Sequence, residues 1–226
     1  MEGVEALTGR ARDYAEARPG YPDAAVEYIR GLAPPDAAFA DIGAGTGKFT
    51  APLARYGHTV YAVEPNADMR VQLAVTLSPY ANAKIRAGSA EATGLPGRCA
   101  DIIVSAQALP RFDIGLYRAE CGRIGRPGFI LVTLFNYERV LEKNGRYDEP
   151  LNALYRNPTV REFDNPAFFT RETWHKYFAS MEGVPLKSEA GYEAYARELD
   201  ERFGRGAVSG VLRHDLVTRV YSEKME

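Results

Sequence analysis

The chain has 226 residues and a mass of 25.0 kDa, enough for one substantial core, or one core with a small lobe. Hydrophobic residues make up 46% and charged residues 26%, and a formal net charge of -2 excludes the basic surplus that general nucleic-acid and anionic-membrane binders carry. Cys99 and Cys121 are too few for a disulfide framework or a cysteine-rich zinc site. With no basic-then-apolar pattern at the start and no apolar run near the ~20 residues of a membrane span, a cytoplasmic home is expected.

Pro22 to Ala33 reads as a helix, with Pro22 at its start and apolar residues at helical spacing. Ala37 to Ile42 reads as a buried strand. Lys48 to Tyr56 reads as a helix in which Pro52 is tolerable because it comes early. Thr59 to Val63 is a strand and Ala67 to Leu77 a helix. Lys84 to Ala87, Ala100 to Ala106 and Gly128 to Phe135 are further strands, with a helix in Asp113 to Ile124 between the last two. Strands alternating with helices imply crossover units, hence an α/β fold whose mostly parallel sheet has helices on both faces. The order changes after Phe135. Residues 136–182 are rich in aromatics and charges and are expected to form an insertion over the ligand edge of a single domain, 1–226. Gly191 to Gly204 is another helix. Ala207 to Ser222 gives two alternating runs about a turn near His214 and Asp215, a C-terminal antiparallel hairpin.

The segment between the first two strands carries the most chemistry. A phosphate loop of the form G-x-x-x-x-G-K-[ST] would need glycine where Ile42 stands and a hydroxyl where Phe49 stands. Lys48 is therefore expected to be an exposed residue at a helix start. The dinucleotide pattern G-x-G-x-x-G would put its third glycine at Lys48. The preceding Asp41 would oppose a phosphate, but suits a cationic or zwitterionic ligand. The S-adenosylmethionine loop, D/E-x-G-x-G-x-G, is met at every position from Asp41 to Gly47. Its glycines let backbone approach a ligand and take positive φ. Glu64 ends the next strand, where its carboxylate can accept from both ribose hydroxyls. An acid there also occurs in NAD enzymes, so Glu64 alone does not discriminate.

With these residues in place, the chain resembles the class I S-adenosylmethionine-dependent methyltransferases of the type 11 small-molecule group. Asp41 to Thr50 matches the first motif, Val63 to Met69 the second, and Ala100 to Leu109 the fourth. Ala87 to Pro96 is similar to the adenine-contacting segment, and Asp13 to Pro22 to an N-terminal arm that closes over the methionine end. The resemblance implies a Rossmann-like seven-stranded sheet with S-adenosyl-L-methionine as cofactor. It implies a small-molecule acceptor, no nucleic-acid, membrane or metal partner, and a monomer or homodimer. The cofactor residues it implies are Asp41, Gly43, Ala44 and Gly45 in the first motif and Glu64, Pro65 and Met69 in the second. Ser89, Ala90 and Glu91 would meet the adenine, with Ala106 and Gln107 at the end of the fourth motif. Tyr14 and Arg18, in a lid arm of residues 1–21, would meet the methionine carboxylate.

One departure bears on chemistry. Many relatives read Q-A-F-H-W-F where this chain has Gln107 to Asp113, with Pro110 and Arg111 in place of histidine and tryptophan. A base of that kind is missing. In-line displacement from a sulfonium has a neutral leaving group, so positioning and exclusion of water suffice for a good nucleophile. The same pattern leaves open attack on the aminocarboxypropyl arm, by another molecule or by its own amine, releasing methylthioadenosine. A non-catalytic S-adenosylmethionine-binding regulator also stays open. Asn136 and Tyr137 follow the fifth strand at its carboxyl end, where open α/β sheets bind ligands, and form the candidate catalytic pair. His58, His175 and His214 are dispersed and are expected to be structural, as are both cysteines. Tyr137, Tyr147, Tyr155, Phe163, Phe168, Phe169, Trp174, Tyr177 and Phe178 are expected mainly to form the insertion's own core, a few of them lining the acceptor pocket.

Overall fold

The computed structural model describes residues 7–138 and 148–225. Tyr147, the first six positions of the arm and positions 139–147 of the insertion lie outside them. Five strands, β1 (Phe39–Ile42), β2 (Val60–Val63), β3 (Ala83–Arg86), β4 (Ala100–Ala106) and β5 (Gly125–Glu138), pair in parallel. β6 (Thr159–Asp164) and β9 (Leu216–Lys224) complete a seven-stranded sheet of order β3-β2-β1-β4-β5-β9-β6, with β9 antiparallel to both neighbours. β7 (Ala167–Phe169) and β8 (Leu212–His214) form a separate antiparallel pair. The C-terminal antiparallel element is thus β9 beside β6. The turn near His214 and Asp215 joins strands of two sheets and does not close a hairpin between them.

The helices are α1 (Ala11–Ala17), α2 (Asp23–Arg30), α3 (Thr50–Arg55), α4 (Ala67–Leu77), α5 (Ile114–Ile124), α6 (Asp148–Leu154), α7 (Arg171–Ala179) and α8 (Tyr192–Gly206). α4 and α5 start where side chains can cap them: Asn66 accepts from the Met69 N–H and Asp113 from the Leu116 N–H, each at 3.0 Å. α3 is shorter than its sequence suggests, because Gly47 and Lys48 belong to the turn and Pro52 leaves only a brief run. β5 is longer than its apolar run, since β9 pairs with it as far as Glu138.

Alternation along the central strands builds a core on each face of the sheet. Ile103, Leu131 and Phe135 point to one side, with Tyr117 and Cys121 of α5. Ile102, Val104, Val132 and Leu134 point to the other, with Val26 and Ile29 of α2 and Leu53 of α3. Both cysteines are buried free thiols, and burial pushes Cys121 up to about 12, which suits an inert role.

The aromatic residues beyond Phe135 do not make one core. Phe169, Trp174 and Tyr177 pack with Leu199 and Phe203 of α8 and with Ala17 of α1. Tyr155 belongs instead to the main core, its hydroxyl donating to Thr133 Oγ1 at 2.9 Å, and Phe163 packs on the opposite face of the sheet. Phe168 is exposed. The arm also contributes to a core, which its composition did not suggest. Ala11 and Ala17 are buried, and the Arg10 guanidinium donates to the carbonyls of Ala179 and Val184, both at 2.7 Å. No helix among the described residues is long and apolar enough to cross a membrane.

Candidate functional site

The carboxyl ends of β1, β2 and β4 open onto a cavity of about 490 Å³. The parallel strands aim three loops at it, and each loop is fixed by contacts the sequence dictates. In the first, Gly45 has φ +57° and lines the cavity, and no protein atom lies within 4 Å of where a Cβ would stand. Its bare backbone is therefore free to meet a ligand. Gly47, at φ +88°, serves packing instead. A Cβ there would come within 2.9 Å of Leu73 Cδ1, so the glycine permits close approach of α4.

The second loop is tied to the first by Glu64. Its carboxylate accepts the Gly45 N–H at 2.8 Å and the Asn66 N–H at 2.9 Å. Burial raises its pKa, and these two N–H groups oppose the shift. Arg70 clamps the same loop by donating to the carbonyls of Glu64 and Pro65 at 2.9 and 2.6 Å.

The third loop, Gly88 to Pro96, rests on α5. Glu120 Oε1 accepts the Thr93 N–H at 2.9 Å, and Arg123 binds both Glu120 and the Leu95 carbonyl. The arginine and the threonine hold the Glu120 carboxyl at about 2, well below its ordinary value. Gln107, directly after β4, has φ +61°, a left-handed conformation uncommon for a residue with a side chain, and its Oε1 accepts the Asn136 N–H at 3.1 Å.

Gly43, Gly45, Glu64, Pro65 and Met69 all line this cavity, as do Ser89, Ala90, Glu91, Ala106, Gln107 and Tyr14. Asp41 does not reach its wall. It is fully buried on β1, accepts from Thr50 Oγ1 at 2.6 Å, and is pushed up to about 7 mainly by burial. Ala44 packs with Ala62, Leu73 and Leu77.

A second, smaller chamber of about 130 Å³ shares Tyr14, Gln107 and Arg111 with the first. Arg18, Lys48, Pro110, Asn136 and Tyr177 also line it. Arg18 sits 5.2 Å from the ring centroids of both Tyr14 and Tyr177 and donates to Ser180 Oγ at 2.8 Å. The Asn136 amide is engaged within the protein: it donates to the Gly20 carbonyl at 3.0 Å and accepts from Asn165 and Thr218. Tyr137 lines neither space. It packs edge-on against Phe135, with the Arg219 guanidinium 5.0 Å from its ring centroid.

Lys48 is not an exposed helix-start residue. It is half-buried in the chamber wall, and burial lowers its pKa. Its position depends on how the turn folds over β1, which spacing does not encode. Sequence reasoning also missed Asn66 and Phe112, which line the larger cavity, and Tyr21, which lines the smaller. Asn66 had a local signal, an N-cap residue three positions before Met69. His58 is buried with Nδ1 3.2 Å from the Ala37 carbonyl oxygen. His175 pairs with Asp200 at 2.7 Å and His214 with Glu138 at 3.0 Å. No cluster of three metal-ligating side chains occurs among the described residues.

The sheet order, the glycine loop and an acid-tipped second strand are together those of a class I methyltransferase-type fold. Residues 40–133 match the family described as "Methyltransferase domain". Over these residues the chain is similar to methyltransferase domains. It is 35% identical over 125 residues to Rv3342 of Mycobacterium tuberculosis, described as an uncharacterized methyltransferase, covering 54% of this chain and 49% of that protein. The chain thus spans about half the length of the curated relatives it matches. Among solved structures, a candidate type II methyltransferase from Anaeromyxobacter dehalogenans aligns with a TM-score of 0.64 at 20% identity, covering 92% of this chain and 97% of that one. The [4+2]-cyclase SpnF aligns at 0.61 with 12% identity, covering 98% and 94%. These two likenesses concern the fold.

Proposed function

We propose that the chain transfers the methyl group of S-adenosylmethionine to a small-molecule acceptor by in-line displacement. The observation that carries this reading is the pairing of two adjoining spaces. The larger has room and donors for a nucleoside, and the smaller lies beyond Gln107, where an acceptor would sit. The residues present fit the cofactor. Gly45 offers bare backbone, Glu64 would accept from the ribose hydroxyls, Ser89 to Glu91 would border the adenine, and Tyr14 and Arg18 would meet the methionine end.

When bound, S-adenosylmethionine supplies an activated methyl group on a sulfonium sulfur. The protein's own work is positioning and drying. Arg18 orients a carboxylate, Tyr14 closes the wall between the two spaces, and Gln107 holds its backbone rigid at their boundary. Pro110 and Arg111, where relatives carry histidine and tryptophan, both line the acceptor chamber, so the reading assigns no histidine base.

The test is incubation of the purified chain with labelled S-adenosylmethionine and a metabolite extract, followed by mass spectrometry of the nucleoside product. S-adenosylhomocysteine with a labelled acceptor is expected. Methylthioadenosine would instead identify attack on the aminocarboxypropyl arm. Tight cofactor binding with no turnover in any extract would favour a regulator.

A further inference from the structure

We infer that the acceptor is a small oxyanion, a carboxylate or a phosphate ester, and that Lys48 is the residue that recognises its charge. The inference deepens the transfer reading above and rests on it.

Charge balance in the smaller chamber points to such an acceptor. The chamber wall holds three cations, Arg18, Lys48 and Arg111, and no Asp or Glu is among its lining residues within the described part of the chain. Arg111 has a counterion at its outer edge, Glu182 at 3.2 Å. Arg18 is held between two tyrosine rings and the Ser180 hydroxyl, and on the reading above it takes the methionine carboxylate. Lys48 has neither an ion pair nor a hydrogen bond among the described residues, and burial lowers its pKa.

The cofactor does not answer that charge. Its sulfonium, ammonium and carboxylate sum to a single positive charge, and its one anionic group is used by Arg18. Loading the larger cavity therefore adds positive charge beside a half-buried, unpartnered ammonium. Such a group is costly unless paired. A neutral acceptor would leave it unpaired, whereas an oxyanion would pair it through a charge-assisted hydrogen bond. The remaining walls suit a compact acceptor with an apolar body: Pro19, Tyr21, Pro110, Tyr177 and Leu216 surround a space of about 130 Å³.

The experiment uses the full chain saturated with S-adenosylhomocysteine. It is titrated calorimetrically at low ionic strength with benzoate, phenyl phosphate and, as the neutral control, benzamide. At least one of the two anions is expected to bind about tenfold or more tightly than benzamide, as befits a hydrogen bond to a charged group. The preferred anion tells carboxylate from phosphate. Lys48→Gln should lose about tenfold or more of that affinity while keeping S-adenosylhomocysteine affinity within about twofold. Should the variant fold poorly, added salt applied to the parent chain gives the second readout, weakening the anion far more than the nucleoside.

A chain that binds no S-adenosylhomocysteine overturns the cofactor reading, and this inference with it. A chain that binds S-adenosylhomocysteine but holds both anions no better than benzamide overturns this inference alone. So does a Lys48→Gln variant that binds the anion as the parent does, or parental anion binding that salt leaves unchanged.

Discussion

The Glu64 carboxylate accepts the Gly45 N–H at 2.8 Å, so the acid of the second motif braces the glycine loop of the first. It also accepts from Asn66, yet a carboxylate has about four lone-pair sites, which leaves capacity for ribose hydroxyls. Glu64→Gln should therefore weaken S-adenosylmethionine binding by about 1.5–3 kcal/mol, the range for hydrogen bonds to a charged group. Lys48→Ala should not weaken it, because a cation is repelled by, and so cannot help hold, a ligand of net positive charge. Calorimetry on both variants decides the matter. Equal losses would return Lys48 to a phosphate-binding role.

Asp41 supplies a pH signature. Its carboxyl is fully buried and pushed up to about 7 from an ordinary value of 3.8. The folded chain thus holds this proton where the unfolded chain has lost it. The sign follows: the contribution of Asp41 to stability is fully present below the unfolded value and is lost as pH rises through the folded one. Asp41→Asn cannot ionise, and its amide oxygen can still accept from Thr50. Its stability relative to the parent should climb between pH 4 and about 7, with a slope approaching 1.4 kcal/mol per unit. Urea unfolding across that range is the measurement, and parallel profiles for parent and variant would refute the assignment.

Glu120 should behave in the opposite sense. Its carboxyl is held at about 2, below its ordinary value of 4.5, so its stabilisation is present above the unfolded value and disappears as pH falls through the folded one. Arg123 is about half exposed, and solvent screening limits its share, so most of the cost of Glu120→Gln comes from the buried Thr93 donors. A loss of about 1–3 kcal/mol at pH 7 is expected, narrowing towards pH 3. Because the pair anchors the loop that carries Ser89 to Glu91, cofactor affinity should fall along with stability. A variant with parental affinity would show that the loop holds its shape unaided.

How much of this was legible beforehand depends on the range of the interaction. The strands from Phe39 to Phe135 announced themselves because a parallel sheet buried on both faces writes continuous apolar runs. The α4 boundaries were legible from a local cap, and the gathering of the motif residues around the larger cavity from motif spacing, since consecutive loops of a parallel sheet must emerge at one edge. Pairings between distant segments were not legible. β8 has three residues and meets β7 across more than forty positions of chain, so its local alternation pointed to β9 instead. The small chamber draws on the arm, the first loop, β4, β5 and α7, and no periodicity joins those segments. That is why Lys48 read as exposed, and why Asn136 and Tyr137 read as a pair although only Asn136 lines the chamber.

The arm itself separates anchoring from ligand contact. Arg10 is 8% exposed and holds α1 to the segment after α7 through two carbonyls, while Thr8 receives a hydrogen bond from Asn66 and Gly9 donates to Asp68. Arg18 adds the Ser180 hydroxyl and the Tyr177 ring to that anchoring and otherwise faces the smaller chamber. Arg10→Met removes both anchoring bonds and leaves two carbonyls without their donor, at a cost of about 1–3 kcal/mol. Hydrogen exchange over residues 8–22 should then quicken, and cofactor affinity should fall as Tyr14 leaves the cavity wall. Arg18→Ala should leave exchange in the ligand-free chain close to the parent's while turnover drops, since the guanidinium proposed to orient the methionine carboxylate is gone. In the parent, S-adenosylhomocysteine should slow exchange across the same residues. If a chain lacking residues 1–18 retains full activity and affinity, the arm is a packing element alone, and the assignment of Tyr14 and Arg18 to the cofactor falls.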